Sequence, residues 1–251
     1  MATLKEIVTA MDGWLRTPAI PDYPAACNGL QIENSGPITR VACAVDACEP
    51  VIRHAITTGA DLLLVHHGLF WSPTRPLVGP AYRKIKLTMD GNLAIYASHI
   101  PLDIHAELGN NIGLARSIGM LDAEPFFPWK GIPIGLRGTL GTTRDDLVAN
   151  LSSALGAPVH LCPGGSAQVT RVGIITGGAG SEIHELAKHD IDTFITGEGP
   201  HWSYTAAEEL GINLIYAGHY ATETFGVKAL AGQVASTFDL PWEFIDHPTG
   251  L

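Results

Sequence analysis

The sequence has few cysteines and few basic residues. Its four cysteines, at positions 27, 43, 48 and 162, form no Cys-x-x-Cys pair, so neither a thiolate zinc site nor a disulfide framework is predicted. Only 15 Lys and Arg stand against 25 Asp and Glu, which gives a formal net charge of -10. Because neutralising phosphates requires clustered Lys and Arg, this balance excludes a general nucleic-acid surface.

Secretion and membrane segments are also missing from the sequence. Lys5, Glu6, Asp12 and Arg16 fall where a signal peptide would need an unbroken apolar run. The most apolar stretch, 62–65, is far shorter than the roughly 20 residues that span a bilayer. Together with cysteines that are expected to be reduced thiols, this pattern predicts a cytoplasmic protein with no membrane span.

The organisation of the chain favours an α/β fold. Its 251 residues are 46% hydrophobic, enough for one large α/β domain or two small lobes. An amphipathic helix is predicted over 4–16, and short apolar runs then alternate with helix-length amphipathic segments. This alternation is typical of parallel strands joined by crossover helices. The predicted strands are 40–45, 62–65, 93–97, 172–176, 193–196 and 213–216.

One stretch interrupts this alternation. Residues 125–138 are rich in Pro, Gly and aromatic side chains, and they predict a boundary between an N-terminal lobe, 1–124, and a C-terminal lobe, 125–251. In parallel α/β sheets, ligands bind beyond the carboxyl ends of the strands. Candidate functional residues are therefore expected directly after the apolar runs.

The first candidates, His66 and His67, follow the apolar run 62–65. Successive side chains of an extended strand point to opposite faces. The two imidazoles are thus poorly arranged to chelate one ion but well arranged to bind two. The alternative is that one histidine is a core residue bonded to the main chain and the other is solvated.

The second candidates follow the run 93–97, where His99, Asp103 and His105 occur within a few residues. Asp103 offers a hard carboxylate oxygen, which many divalent ions accept alongside imidazole nitrogen. Its alternative role is that of a helix N-cap. His99 is a candidate for a metal ligand, for a residue that orients a ligand, or for a proton shuttle.

The third candidates, His219 and Glu223, follow the run 213–216 and Gly218. They are predicted to lie on the first turns of a helix, where side chains four residues apart share a face and converge on one centre. The alternative is a solvated pair at chance spacing.

These strand ends are expected to meet, which predicts a site for two divalent ions. Five side chains, a bridging carboxylate from Glu223 or Asp103, and waters suffice to bind both ions. With no thiolate among the donors, zinc, iron, manganese, cobalt and nickel all fit. Three neutral histidines and two carboxylates leave a net charge of about +2 on the loaded site, which would attract anions. The predicted ligands are His66, His67, Asp103, His219 and Glu223.

The sequence resembles the NIF-three-like family of dinuclear-metal-centre hexameric proteins, whose members are also described as GTP cyclohydrolase 1 type 2 homologues. The likeness spans nearly the whole chain. Its motifs are Asn28-Gly29-Leu30-Gln31, Val45-Asp46, Gly59-Ala60-Asp61, His66-His67, His99, Leu102-Asp103, Thr196-Gly197-Glu198, Gly211-Ile212-Asn213 and Ala217-Gly218-His219-Tyr220-Ala221-Thr222-Glu223.

The resemblance implies a three-layer α/β fold of two similar lobes with mixed or parallel sheets, a two-metal site between the lobes, and a ring-shaped homohexamer. All five predicted ligands match the positions of the family's metal ligands. The implied activity is hydrolytic opening of the guanine ring of GTP, so an anionic small molecule such as a nucleotide is the expected partner. His99 and Glu198 are candidates for moving protons in that reaction.

Other functions remain open from the sequence. Paired metals also suit a phosphoesterase, and a metal-binding or scaffold protein without catalysis would need the same ligands. A third possibility is that the histidines are purely structural. The glycine loop 177–181, between a predicted strand and a helix, either holds a phosphate with its amides or forms a plain tight turn; it lacks the Lys of a P-loop.

Overall fold

The computed structural model describes residues 2–71 and 76–251. Contacts divide the chain into two compact units, Met1–Leu102 with Gly226–His247, and Asp103–Phe225 with Pro248–Leu251. Each unit contains a sheet with both parallel and antiparallel strands, together with helices. The predicted α/β class with mixed sheets is therefore confirmed.

The strands of the described residues are short, apart from two neighbours in the second unit. In chain order they are β1 (Ala2–Thr3), β2 (Gly29–Ile32), β3 (Pro37–Ile38), β4 (Val41–Asp46), β5 (Leu62–His67), β6 (Ala94–Ala97), β7 (Leu121–Trp129), β8 (Ile132–Thr143), β9 (His160–Pro163), β10 (Gln168–Ile174), β11 (Thr193–Thr196), β12 (Asn213–Tyr216) and β13 (Trp242–Phe244).

The helices range from a single turn to 15 residues. They are α1 (Leu4–Leu15), α2 (Glu49–Thr57), α3 (Gly79–Asp90), α4 (Ile100–Asp103), α5 (Asn110–Ser117), α6 (Arg144–Leu155), α7 (Ile183–Leu186), α8 (Trp202–Leu210), α9 (His219–Thr222) and α10 (Thr224–Phe238), with short 3-10 helices at Thr17–Ala19 and Gly180–Glu182.

The main sheet of the first unit has the strand order β13-β4-β5-β6-β2. Its first four strands are parallel, and β2 is antiparallel to β6. Nearly every residue of β4, β5 and β6 is buried, as expected of parallel strands covered on both faces. Asp46 and His67 are register partners at the ends of β4 and β5, and His99 follows β6 by two residues. The predicted position of these histidines at strand ends is thus observed.

The sheet of the second unit has the order β7-β8-β10-β11-β12-β9. Only β10, β11 and β12 are parallel to one another, and their carboxyl ends therefore meet at one edge of the sheet. Gly177 follows β10, Glu198 follows β11 and His219 follows β12. The topology brings these three residues to the same edge.

The apolar runs predicted the buried parallel strands and the first helix. Each predicted strand has an observed counterpart, and α1 ends one residue before the predicted helix does. A capping box, in which Thr3 and Glu6 bond each other's main-chain amides, begins α1. The remaining strands, β1, β2, β3, β7, β8, β9 and β13, were not predicted.

Residues 125–138, predicted to separate two lobes, instead belong to the hairpin of β7 and β8. Pro125 and Pro128 suggested a break, but β7 lies at the edge of its sheet, where proline is tolerated because one side of the strand needs no partner. The division predicted after residue 124 therefore falls inside β7. The compact units also differ from lobes 1–124 and 125–251 near the C-terminus, because β13 pairs with β4 in the first unit.

The cysteines are free thiols, as the sequence predicts. Burial raises the pKa of Cys43 to about 12 and that of Cys162 to about 11, so both thiols are protonated at neutral pH. In the described part of the chain, no helix combines the length and apolar character needed to cross a bilayer.

Candidate metal centre

The first unit contains a group of three histidines, His66, His67 and His99, which we call the triple-histidine group. One ring nitrogen from each lies within 4.8 Å of a ring nitrogen of the other two. The ring centroids are 4.8 Å apart for His66 and His67, and 4.9 Å apart for His66 and His99. The pairing of β5 with β6 produces this arrangement, since the histidines lie at or just past the ends of neighbouring parallel strands.

Each imidazole of this group is held through its Nδ1 atom by an oxygen. The acceptor for His66 is a main-chain carbonyl, which cannot donate, so Nδ1 of His66 must carry the proton. A neutral imidazole that donates from Nδ1 presents the lone pair of Nε2, the atom needed to bind a metal. The pairs are His66 with the carbonyl of Ser98, His67 with Oδ1 of Asp46, and His99 with Oδ1 of Asp22, all at 2.9 Å.

The acceptor of His99 is itself held firmly. Asp22 receives hydrogen bonds from Nδ2 of Asn28 at 2.8 Å and from the main-chain amides of Tyr23 and Ile100 at 2.6 and 3.1 Å. Burial alone would raise the pKa of Asp22, but the bonds from His99, Asn28 and Tyr23 outweigh burial and hold the pKa below its usual value. Asp22 is therefore a carboxylate at neutral pH.

The second unit contains His219 and Glu223, whose predicted convergence is observed. Nε2 of His219 lies 3.1 Å from Oε1 of Glu223, and its Nδ1 lies 2.9 Å from Oε1 of Glu198. Burial disfavours the charged imidazole, but the two carboxylates outweigh burial and raise the pKa of His219 to about 9. Without a metal, His219 is therefore an imidazolium between two carboxylates at neutral pH.

Asp103 adds a second buried carboxylate to this unit. Its Oδ1 accepts hydrogen bonds from Nδ2 of Asn110 at 2.8 Å and from Oγ1 of Thr176 at 3.3 Å. One of its oxygens lies within 4.8 Å of an oxygen of Glu223. The N-cap alternative for Asp103 is not observed, because Asp103 is the last residue of α4 and Gly109 is the N-cap of α5.

The charges of these carboxylates indicate a cation site. Asp103 is 7% exposed and Glu223 is 1% exposed, and two buried like charges at this separation repel each other strongly. Without a metal, the imidazolium of His219 compensates part of this charge, whereas Asn110 and Thr176 donate hydrogen bonds but carry no charge. A divalent ion would neutralise both carboxylates, and imidazole nitrogen with carboxylate oxygen is a donor set that suits such ions. The residues present fit a metal.

The glycine loop forms a wall of this site. Gly177 has φ +75°, and a Cβ atom there would lie 2.4 Å from Oε1 of Glu223 and 3.3 Å from Nε2 of His219. The amide of Gly177 donates to Oγ1 of Thr222 at 3.1 Å. Only glycine therefore allows the main chain to approach the two candidate ligands this closely.

Three of the five loop amides, those of Gly177, Ala179 and Gly180, are engaged within the protein. Besides Gly177, Ala179 donates to Oγ1 of Thr196 at 3.1 Å, and Gly180 donates to the carbonyl of Glu198 at 3.0 Å. Amides with these partners are not available to a phosphate. The tight-turn interpretation of residues 177–181 is therefore the one that the hydrogen bonds favour.

Sequence reasoning overlooked the side chains that hold the candidate ligands. Asp46 ends an apolar strand, so the strand-end criterion that selected His66 and His67 applied to it as well. Asp22 lies in a loop far from any predicted strand, and no sequence signal pointed to its contact with His99. Asn110 and Thr176 were also overlooked, because a neutral polar side chain in the sequence gives no specific signal for a metal site.

Known proteins provide a comparison for this geometry. The family model for Duf34/NIF3 (NGG1p interacting factor 3) matches residues 2–249. The chain belongs to this family. A relative from Deinococcus radiodurans, named GTP cyclohydrolase 1 type 2 homolog, is 41% identical over 98% of this chain and 94% of its own length. A Pyrococcus abyssi relative of the same name is 38% identical over 98% and 99%.

Solved structures of the family agree with the fold. TTHA1606 from Thermus thermophilus is 40% identical, with a TM-score of 0.89 over 98% of this chain and 99% of its own. The protein ybgI, described as of unknown function, is 32% identical, with a TM-score of 0.92 over 99% and 100%. The resemblance stated from sequence motifs is thus confirmed, whereas the roles of the five ligands remain predictions.

A first prediction concerns pH. Because the pKa of His219 is about 9, a metal ion must displace its proton at neutral pH, and lower pH favours the protonated, metal-free form. The apparent affinity for a divalent ion is therefore expected to rise about tenfold per pH unit from pH 7 to pH 9. Chelator competition measures this dependence. An affinity that stays constant over this range would contradict the prediction.

A second prediction concerns the glycine wall. Gly177→Ala is expected to weaken metal binding at least about tenfold, because the added Cβ displaces the carboxylate of Glu223. Gly211→Ala is the matched control, since Gly211 has φ +69° but no atom within 4 Å of a built Cβ. Both variants carry similar backbone strain, so only the first should lose affinity. Equal affinities in the two variants would show that the contact with Glu223 is unimportant.

Proposed function

We propose that the protein binds two divalent metal ions per chain and acts as a metal-dependent hydrolase on a nucleotide, opening the guanine ring in the manner implied by the names of its relatives. The observation that supports this proposal most directly is the pair of buried carboxylates, Asp103 and Glu223. They are accompanied by histidines whose Nδ1 atoms are hydrogen-bonded to carboxylates. The proposed ligands are His66, His67, Asp103, His219 and Glu223.

The number of donor atoms supports the proposal that the histidines of the first unit and the ligands of the second unit bind the same two ions. An ion of this class takes at least about four ligands. Five protein donors serve two ions only if a carboxylate bridges them and waters complete the sets. Glu223 is the proposed bridge, because it is almost fully buried and already contacts His219. The proposed set of five ligands is the one that the family resemblance implies.

The charge around the ligands bears on the substrate. The carboxylates of Asp22, Asp46 and Glu198, which hold imidazoles, add three negative charges to the two of the ligand set. Five carboxylates and two divalent ions give the loaded centre a net charge of about -1. The ligands alone, as predicted from the sequence, gave about +2. The centre therefore suits an uncharged group, such as a purine ring, better than a phosphate. This favours ring opening over phosphoester hydrolysis.

Divalent ions, when bound, polarise a substrate carbonyl or imine and supply a nucleophile from water at neutral pH. The protein's own side chains hold and orient the ligands. Glu198 was a sequence candidate for proton transfer, but its bond to Nδ1 of His219 supports a positioning role. The assembly proposed with this function is a homohexamer, and the proposed compartment is the cytoplasm, where its four cysteines would stay reduced.

Elemental analysis of protein purified without added metal tests the centre directly. About two ions per chain are expected for the wild type, and fewer than one for Glu223→Ala, because the bridging carboxylate serves both ions. Glu209→Ala, at an exposed glutamate, is the matched control and should retain both ions. Fewer than one ion per wild-type chain after gentle purification would contradict the proposal.

The reaction is tested by supplying GTP to the fully metallated hexamer. Formate release that is lost in Glu223→Ala is the expected result, since one water opens the imidazole ring to a formamide and a second water hydrolyses that formamide to an amine and formate. Release of inorganic phosphate without formate would show a phosphoesterase instead. If neither product forms at full metal content, the metal-binding or scaffold alternative is favoured. Light scattering should give a mass six times that of the chain.

A further inference from the structure

We propose that His99 is a metal ligand in addition to the five already assigned, and that it binds a divalent ion through Nε2 beside His66 and His67. The inference rests on the proposed metal centre. It assigns one role to a residue for which the sequence allowed three: ligand, orienting residue or proton shuttle.

Proximity is the first argument. One ring nitrogen of His99 lies within 4.8 Å of a ring nitrogen of both His66 and His67, and the ring centroids of His99 and His67 are 5.7 Å apart. Nitrogens that bind one tetrahedral ion at about 2.0–2.1 Å lie about 3.4 Å from each other. Contrary to the expectation that the adjacent His66 and His67 are poorly arranged to bind one ion, their rings are only 4.8 Å apart. The three histidines are thus close enough to share an ion after small side-chain rotations.

Orientation is the second argument. His99 donates through Nδ1 to Asp22, just as His67 does to Asp46 and His219 does to Glu198. A carboxylate that holds Nδ1 fixes the ring and increases the basicity of Nε2, an arrangement typical of histidines that bind metals. His99 therefore has the same preparation as two assigned ligands.

The main chain around His99 is also fixed. Its amide donates to Oδ1 of Asn28 at 2.8 Å, and the same side chain donates through Nδ2 to Asp22. Asn28 thereby joins the backbone of His99 to the carboxylate that holds its ring. Such double anchoring leaves the imidazole little freedom to turn away from the group.

Trp71 fixes the ring from a further side. Its ring makes an edge contact with His99, with centroids 4.7 Å apart and planes at 86°, and another with His67 at 5.5 Å. One indole thus contacts two of the three imidazoles and limits the space in which they move.

The alternative is that His99 has only a structural role, which its hydrogen bond to Asp22 fulfils. Within residues 2–71 and 76–251, Nε2 of His99 has no hydrogen-bond partner, although its side chain is only 13% exposed. A nearly buried ring nitrogen without a hydrogen-bond partner is costly, and a cation bound at Nε2 of His99 would satisfy it, whereas a structural role leaves it unexplained.

The test uses His99→Asn in the otherwise unchanged, full-length protein. The amide of Asn reproduces the Nδ1 donor to Asp22 but has no counterpart of Nε2. Co²⁺ is the probe, with affinity measured by chelator competition and coordination followed by visible absorption. The expected result is at least about tenfold weaker binding of one Co²⁺ per chain and a changed absorption band. His160→Asn, at an exposed histidine outside the group, should match the wild type.

Wild-type affinity and an unchanged Co²⁺ spectrum in His99→Asn would overturn the inference while leaving the five-ligand centre intact. Absence of Co²⁺ binding by the wild type would instead overturn the proposed function. Should His99→Asn fold poorly, His99→Gly with added imidazole gives a second measurement. Imidazole is expected to restore the wild-type spectrum if His99 is a ligand, and the lack of any such restoration would count against it.

Discussion

The hydrogen bond from Nδ1 of each candidate histidine to a fixed oxygen is the interaction on which the rest of the site depends. An imidazole can bind a metal through either nitrogen, and a free ring would sample both. Here Nδ1 is engaged in every case, so Nε2 is the atom assigned to an ion. The pairs are His66 with Ser98, His67 with Asp46, His99 with Asp22 and His219 with Glu198, each at 2.9 Å.

The folds of the two units serve this constraint. Parallel strands end at a common edge, and the residues at or just beyond these ends carry the histidines and the oxygens that hold them, except for the carboxylate of Asp22. Asp46 and His67 are register partners on neighbouring strands, so their contact follows directly from strand pairing. Gly177, Glu198 and His219 are arranged in the same way around β10, β11 and β12. The hydrogen-bonded sheets therefore hold the residues of the site in fixed positions.

The sequence predicted the parts of this structure that depend on local pattern. Apolar runs identified the parallel strands, and His66, His67 and His219 were found because each follows or ends such a run. Contacts over long sequence separations were not predictable in this way: Asp22 reaches His99 across 77 positions and Thr176 reaches Asp103 across 73. The hairpin of β7 and β8 was overlooked because its prolines resemble breakers until the edge position of β7 is known.

The most direct measurement is a crystal structure of the metal-loaded protein with anomalous scattering from the bound ions. The account predicts two ions per chain, each bound by histidine through Nε2 at about 2.0–2.1 Å, with the Nδ1 hydrogen bonds to Asp46, Ser98 and Glu198 retained. Ions bound through Nδ1, or an ordered protein with neither ion at these histidines under saturating metal, would contradict it.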